Sequence, residues 1–160
     1  MRRRTRRSRS AAAAETQSDV KFVIGSDEDR PVVQHVAARL REKGHEAEVL
    51  PVRTWGDASI AVARAVAEGE VDQGVVCCWT GTGASMAANK VAGVRAALCV
   101  DAATAAGARK WNDANVLALS LRLLSEPVAD EIVDAWLATP YGGTEKESLD
   151  AIGRQEKGRG

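Results

Sequence analysis

Aromatic side chains are scarce, with one Phe, one Tyr and four Trp among 160 residues. Large rings therefore cannot fill a core, and small aliphatic residues must pack it, which favours helices lying close on a valine-rich sheet. No run of about 20 consecutive apolar residues occurs, so no membrane-spanning helix is expected. The three cysteines cannot all pair, and none stands in C-x-x-C or Cys/His zinc spacing. That usage fits a reducing compartment, here the cytoplasm. His35 and His45 are far apart with no ligand pattern around them. Both are expected at the surface, and no metal site is expected.

Net charge is also absent, but unevenly. Six of the 22 basic residues and one of the 22 acidic ones fall within residues 1–18. The remaining 16 basic and 21 acidic residues leave the rest of the chain at −5. An acidic body gives no basis for a nucleic-acid partner. Residues 1–18 are expected as a disordered, solvated, Arg-rich leader. Their adjacent arginines suggest export, yet Ala11–Ala14 followed by Glu-Thr-Gln-Ser is too short and polar for an export signal's apolar region.

What is present centres on the stretch from Val75 to Lys90, Val-Val-Cys-Cys-Trp-Thr-Gly-Thr-Gly-Ala-Ser-Met-Ala-Ala-Asn-Lys. A short apolar run passes through Thr-Gly-Thr-Gly into an alanine-rich segment, which predicts a buried strand, a tight loop and a helix start. The free amides of such a helix start favour an anion. Cys78 stands at the strand's exit. It either packs in the core, as free cysteines commonly do, or faces what the loop holds. In the second case a thiolate takes a proton while backbone donors steady an oxyanion. A dinucleotide fingerprint fits poorly, because its third glycine would fall at Met86.

Taken in order, residues 20–24 predict a first strand, ending at Gly25-Ser26-Asp27-Glu28-Asp29. A helix follows from Pro31, with Asp29 as cap and Gly44 as its stop. Residues 46–50 predict a second strand, whose alternation suits a sheet edge. A helix over about 57–68 leads to a third strand over 71–78. Residues 94–100 and 115–119 predict the fourth and fifth strands, with Asp101 capping the helix between them. Residues 126–139 carry a strongly amphipathic helix, and a polar tail over 141–160 is expected to be partly helical. Five alternations of strand and helix predict an α/β fold in three layers, α/β/α: a doubly wound, Rossmann-like, parallel five-stranded sheet of order 2-1-3-4-5 spanning 19–140. Ligands in such sheets sit beyond the carboxyl ends of the strands. Arg109-Lys110-Trp111-Asn112-Asp113 precedes the fifth strand, so it is expected away from that cleft unless a partner copy brings it there.

The chain from about Val20 to Leu137 resembles the ribose 5-phosphate isomerase B family, which also includes galactose 6-phosphate isomerase subunits. The resemblance is carried by Cys78 to Lys90, by Gly93-Val94-Arg95-Ala96-Ala97-Leu98-Cys99, and by Asn112 to Leu119 followed by Arg122. It implies a homodimer with shared sites, and cofactor-free, metal-independent aldose–ketose isomerisation of a sugar phosphate. By position, Cys78 would be the base working through a cis-enediolate, with Thr80 assisting. The amides around Gly81, Thr82 and Gly83 would hold the oxyanion, and Ser85 belongs to the same matched block. Asp27 would lie at the sugar hydroxyls, with Glu28 beside it in the substrate-binding site. Asn112, with Trp111 beside it, would reach the substrate from the other subunit, and Arg122 would bind phosphate.

Departures from the family pattern are equally specific. Glu28 and Trp111 stand where the family has histidines, the latter being the one that opens the furanose ring. Trp79 replaces a small glycine, and Thr144 to Ser148 lacks two phosphate-binding arginines. These changes point away from ribose 5-phosphate, toward an open-chain or short sugar phosphate or toward Glu28 as a substitute acid. A tetrose 4-phosphate cannot close a furanose, because its O4 is esterified. The competing expectation is a non-catalytic sugar-phosphate or nucleotide-binding module on the same fold.

Overall fold

The computed structural model describes residues 19–158. The Arg-rich leader expected over residues 1–18 lies outside the described residues. The elements are β1 (Lys21–Ser26), α1 (Pro31–Glu42), β2 (Glu46–Val49), α2 (Trp55–Ala67), β3 (Gln73–Cys78), α3 (Thr82–Ala88), β4 (Ala96–Leu98), α4 (Ala102–Asn112), β5 (Val116–Ser120), α5 (Glu126–Ala138) and α6 (Lys146–Lys157). All strand pairs are parallel. Side chains alternate across the sheet with period two. Ile24, Val75, Cys77 and Leu117 join α1, α4 and α5 in one core. Val23, Val76, Cys78 and Ala118 join α2 and α3 in the other. The three-layer, doubly wound architecture is as expected.

The strand order differs from expectation at one edge: it is β2-β1-β3-β5-β4, not 2-1-3-4-5. β5, Val-Leu-Ala-Leu-Ser, is buried at every position, whereas the three residues of β4 are all part-exposed. A strand buried at every position belongs where both faces and both edges are covered. The short strand takes the edge, where its unpaired backbone costs least.

Three local expectations shift for physical reasons. Arg30, not Asp29, precedes α1 in extended conformation without a side-chain cap. Pro31 forces its neighbour out of the helical region and has no amide to satisfy. α2 begins at Trp55 rather than 57, because Thr54 caps it: Thr54 Oγ1 accepts from the Asp57 amide at 3.1 Å and donates to its carboxylate at 2.8 Å. His45 is buried, not at the surface. Its Nδ1 accepts from the Val20 amide at 3.1 Å, and its ring meets Phe22 edge-on. His35 is half-buried and contacts Asp130 through Nε2 at 2.8 Å.

On the α1/α5 face, Arg39 grips Asp134 through Nε at 3.0 Å and Nη2 at 2.6 Å. That fork, aided by Lys43, holds the Asp134 carboxyl below its usual value. A carboxylate lowered in the fold adds stability above its unfolded value and loses it as pH falls through the folded one. Asp134→Asn is therefore expected to lower the urea midpoint at pH 7. The gap to wild type should close in acid, below about pH 4, where the unfolded carboxylate protonates. Urea curves measured from pH 3 to 8 check this; a gap constant with pH would contradict it.

The C-terminal tail forms α6, which buries no side chain of its own but ties back through the Glu156 carboxylate, an acceptor for the Gly93 amide at 3.1 Å. Among the described residues no helix is long and apolar enough to cross a membrane.

Candidate active site

After β1 the chain runs to the sheet edge through β2, then returns to β3 on the other side of β1. The loops leaving β1 and β3 therefore diverge, and a cleft opens between them. Ser26 braces the first loop: its Oγ donates to the Glu28 carbonyl at 2.8 Å and accepts from the Glu28 amide at 3.2 Å. Asp27 then lines the cleft, and its Oδ1 is buried with no hydrogen-bond partner. Burial pushes the Asp27 carboxyl up from its ordinary value; its own backbone amide opposes this, and Glu28 adds to it.

The second loop is fixed from β5. The Cys78 carbonyl accepts from the Leu121 amide at 2.9 Å. The Trp79 carbonyl accepts from the Arg122 amide at 2.9 Å and from Ser120 Oγ at 3.0 Å. Successive residues of β3 face opposite sides, so Cys77 enters the α1/α4/α5 core while Cys78 turns to the α2/α3 side and borders the cleft. Burial pushes the Cys77 and Cys99 thiols up to about 12. Cys78 keeps 4% of its surface exposed.

Gly81 then makes the turn with φ +74°, in the left-handed region. A Cβ there would lie 2.5 Å from Leu98 Cδ1 and 2.9 Å from the Leu119 carbonyl carbon. The first amide to find an acceptor within α3 is that of Ser85, which donates to the Gly81 carbonyl at 3.0 Å. The amides of Thr82, Gly83 and Ala84 are left free of helical partners, and no side chain caps them. α3 has only seven residues, so these donors matter more than any macrodipole. Thr80 and Thr82 share a hydrogen bond between their hydroxyls at 2.7 Å. The Trp55 ring lies against Gly83, where an added Cβ would stand 3.0 Å from Cε3.

The result is a cleft of about 290 Å³ lined by Asp27, Trp55, Cys78, Trp79, Thr80, Thr82 and Gly83. It combines a carboxyl with one unpartnered oxygen, a thiol, two hydroxyls, a row of amides and two half-exposed indoles. Such a set can take a proton from carbon and steady the oxygen beside it.

Other residues singled out from the sequence lie elsewhere. Glu28 lines a neighbouring hollow of about 300 Å³, and its carboxylate accepts from Arg30 Nε at 2.5 Å. Arg122 is exposed at the same sheet end, joined to Trp79 through backbone. Ser85 is in α3, outside the cleft lining. Trp111 and Asn112 end α4 just before β5 begins, at the opposite end of the parallel strands from Cys78. Trp111 packs over Gly107, and Asn112 faces a hollow of about 790 Å³ beside β4 and α6. Two further basic groups are held away from the cleft. Arg109 is latched inward: Nη1 donates to the Ala114 carbonyl and the guanidinium lies 5.4 Å over Trp136. Lys146 pairs with Asp150.

Trp55 lines the cleft and was missed as a site residue by sequence reasoning, as were Ser120 and Arg30, which brace Trp79 from outside the lining. Arg30 lies 5.0 Å over the Trp79 ring. Its position at the end of the β1 exit loop, before Pro31, was the available signal.

Comparison with known proteins agrees with this geometry. Residues 22–152 match the ribose/galactose isomerase family. Ribose-5-phosphate isomerase B of Escherichia coli is 40% identical over 148 residues, covering 87% of this chain and 98% of that protein. D-erythrulose-4-phosphate isomerase of Pectobacterium atrosepticum is 40% identical over 103 residues, covering 64% of this chain and 68% of that one. The solved structure of ribose-5-phosphate isomerase B from Clostridium thermocellum superposes with a TM-score of 0.83 at 37% identity, covering 88% of this chain and 99% of that one. With the family model matched over residues 22–152 and relatives of this identity covered almost end to end, the chain belongs to the ribose/galactose isomerase family.

Proposed function

We propose that this chain interconverts the aldose and ketose forms of a small sugar phosphate, with Cys78 as base and no metal. The thiolate removes the proton from C2 of the open-chain aldose. The C–H electron pair becomes the C1=C2 bond, and the former carbonyl oxygen becomes an enediolate oxygen. That negative charge is held by the amides around Gly81, Thr82 and Gly83, with Thr80 beside them. The hydroxyl proton moves from O2 to O1, Cys78 returns its proton to C1, and the carbonyl now stands at C2. Asp27 takes the sugar hydroxyls with its unpartnered oxygen. The single observation that carries the reading is that Cys78, this unpartnered oxygen and the free amides border one cleft.

The substrate is an open-chain or short sugar phosphate, and a tetrose 4-phosphate suits it best. Trp111, which stands at the family's ring-opening position, has no side-chain base to move that proton. A relative at 40% identity bears the name D-erythrulose-4-phosphate isomerase. Glu28 is engaged by Arg30 rather than bordering the Cys78 cleft, so it is set aside as the substitute acid. The protein works as a homodimer with shared sites, which would bring Trp111 and Asn112 of one copy toward the other's cleft. Arg122 assists with the phosphate. Three unpaired cysteines suit the reducing cytoplasm.

The test is a panel of tetrose, pentose and hexose phosphates in D2O, with exchange at C1 and C2 followed by proton NMR. Fastest exchange with the tetrose phosphate is expected. A clear preference for a cyclic pentose phosphate would overturn the short-substrate assignment. The small residual exposure of Cys78 favours a second reading, a binding module that performs no proton transfer. Binding without exchange at carbon, for any of these sugars, would establish that reading instead.

A further inference from the structure

The wall of the cleft at Trp79 carries a fixed cation that the isomerisation itself does not use. Arg30 leaves the β1–α1 loop in extended conformation, with φ −119° and ψ 144°. Its successor Pro31 holds it there. The side chain is pinned twice. Nε donates to Glu28 Oε2 at 2.5 Å, and the guanidinium lies 5.0 Å from the centroid of the Trp79 ring. Trp79 borders the cleft immediately after Cys78.

A guanidinium has five N–H donors in a planar fork. Glu28 uses the Nε edge. Among the described residues, neither Nη of Arg30 meets an acceptor, and the side chain is 41% exposed. The free Nη edge is the one that accepts a phosphate or carboxylate through two parallel hydrogen bonds. The indole contact and the pairing at Nε restrain the side chain before any ligand arrives, so less freedom is lost on binding.

Local charge makes such a group necessary. Asp27 and Glu28 place two carboxyl groups on the loop that borders the cleft, and an anionic substrate would meet repulsion there. Arg30 pairs with Glu28 and so offsets one of these two charges, while its Nη donors are left for an anion. Of the other basic groups described above, Arg109 is committed to the Ala114 carbonyl and Lys146 to Asp150, while Arg122 is exposed at the same sheet end and assists.

We propose that Arg30, restrained by Trp79 and Glu28, grips the anionic end of the substrate and so selects phosphorylated over neutral short sugars. This rests on the sugar-phosphate reading of the cleft, and it assigns the substrate's charge to a named side chain.

Titration calorimetry with a tetrose 4-phosphate and with the same tetrose lacking phosphate tests it on the full chain. Arg30→Ala is expected to weaken binding of the phosphate ester by roughly 10- to 150-fold, the span of a charge-assisted hydrogen bond. Binding of the neutral sugar should stay within about twofold, because no charge is met there. Arg30→Lys should recover part of the loss, since it keeps the charge but not the fork. In turnover, Arg30→Ala should raise KM for the phosphate ester far more than it lowers kcat, the mark of lost uniform binding. Unchanged phosphate-ester binding in Arg30→Ala overturns the proposal. So does a wild-type chain that binds the two sugars alike or binds neither. Calorimetry needs no turnover, so a protein that binds the ester through Arg30 but exchanges no carbon-bound proton defeats the isomerase reading and leaves this one standing.

Discussion

Cys78→Ser is expected to slow exchange of the substrate's C2 proton with solvent by roughly 100- to 10,000-fold, the usual contribution of a positioned general base. Serine is nearly isosteric, and the Cys78 backbone is held by β5, so the fold and the cleft should survive the change. A hydroxyl is a far poorer base than a thiolate at neutral pH, so only the chemistry is removed. The two other cysteines supply an internal control. Cys77 packs on the opposite face of the sheet, and both it and Cys99 have thiols pushed up to about 12 by burial. Cys77→Ala and Cys99→Ala should alter stability while leaving exchange per folded molecule near wild type. Proton NMR in D2O with a tetrose phosphate reads all three variants, with circular dichroism reporting the fold. Full exchange in Cys78→Ser would reduce this thiol to core filling and end the proposed mechanism.

Gly81→Ala should cost about 2–5 kcal/mol of folding free energy. About 1–2 kcal/mol comes from holding an L-residue in the left-handed region. A further 1–3 kcal/mol or so comes from overpacking. The methyl would enter space occupied by Leu98 Cδ1 and the Leu119 carbonyl. Gly93 separates the two contributions. It has φ +84° yet nothing within 4 Å of an added Cβ, so Gly93→Ala should show only the backbone part. Urea midpoints of the two variants give the comparison. Equal losses would mean that the Gly81 turn relaxes away from β4 and β5 without penalty. An unequal result, as expected, means that the same contact which destabilises the variant also fixes where the free amides point in the wild type.

Much of this was legible residue by residue. Val75 to Lys90 announced a strand, a turn and a helix start because hydrophobic period and glycine placement are local properties of the chain. Asp101 was readable as a cap, and its side chain does accept from the Thr104 amide at 2.7 Å. Thr54 was less visible, since Trp55 and Gly56 in the first turn of α2 disguised the start. His45 was expected at the surface because nothing around it in the sequence forms a ligand pattern. It is covered only because the chain entering β1 crosses it and donates the Val20 amide to its ring.

Sequence alone determined the repeating strand-and-helix units, the apolar face of each, the Gly-Thr-Gly turn and the presence of a thiol at its entrance. Each follows from the conformational preferences of neighbouring residues, which need no distant partner. Tertiary structure decided the order of the last two strands, because that choice weighs the fully buried β5 against the part-exposed β4 for the place beside β3. It also decided that Asp27 and Cys78 share a cleft while Trp111 and Asn112 lie at the opposite end of the strands, and that Arg30 settles on Trp79, 49 positions away in the chain. Those outcomes depend on which segments compete for the same buried space, and that competition is resolved only when the whole sheet packs.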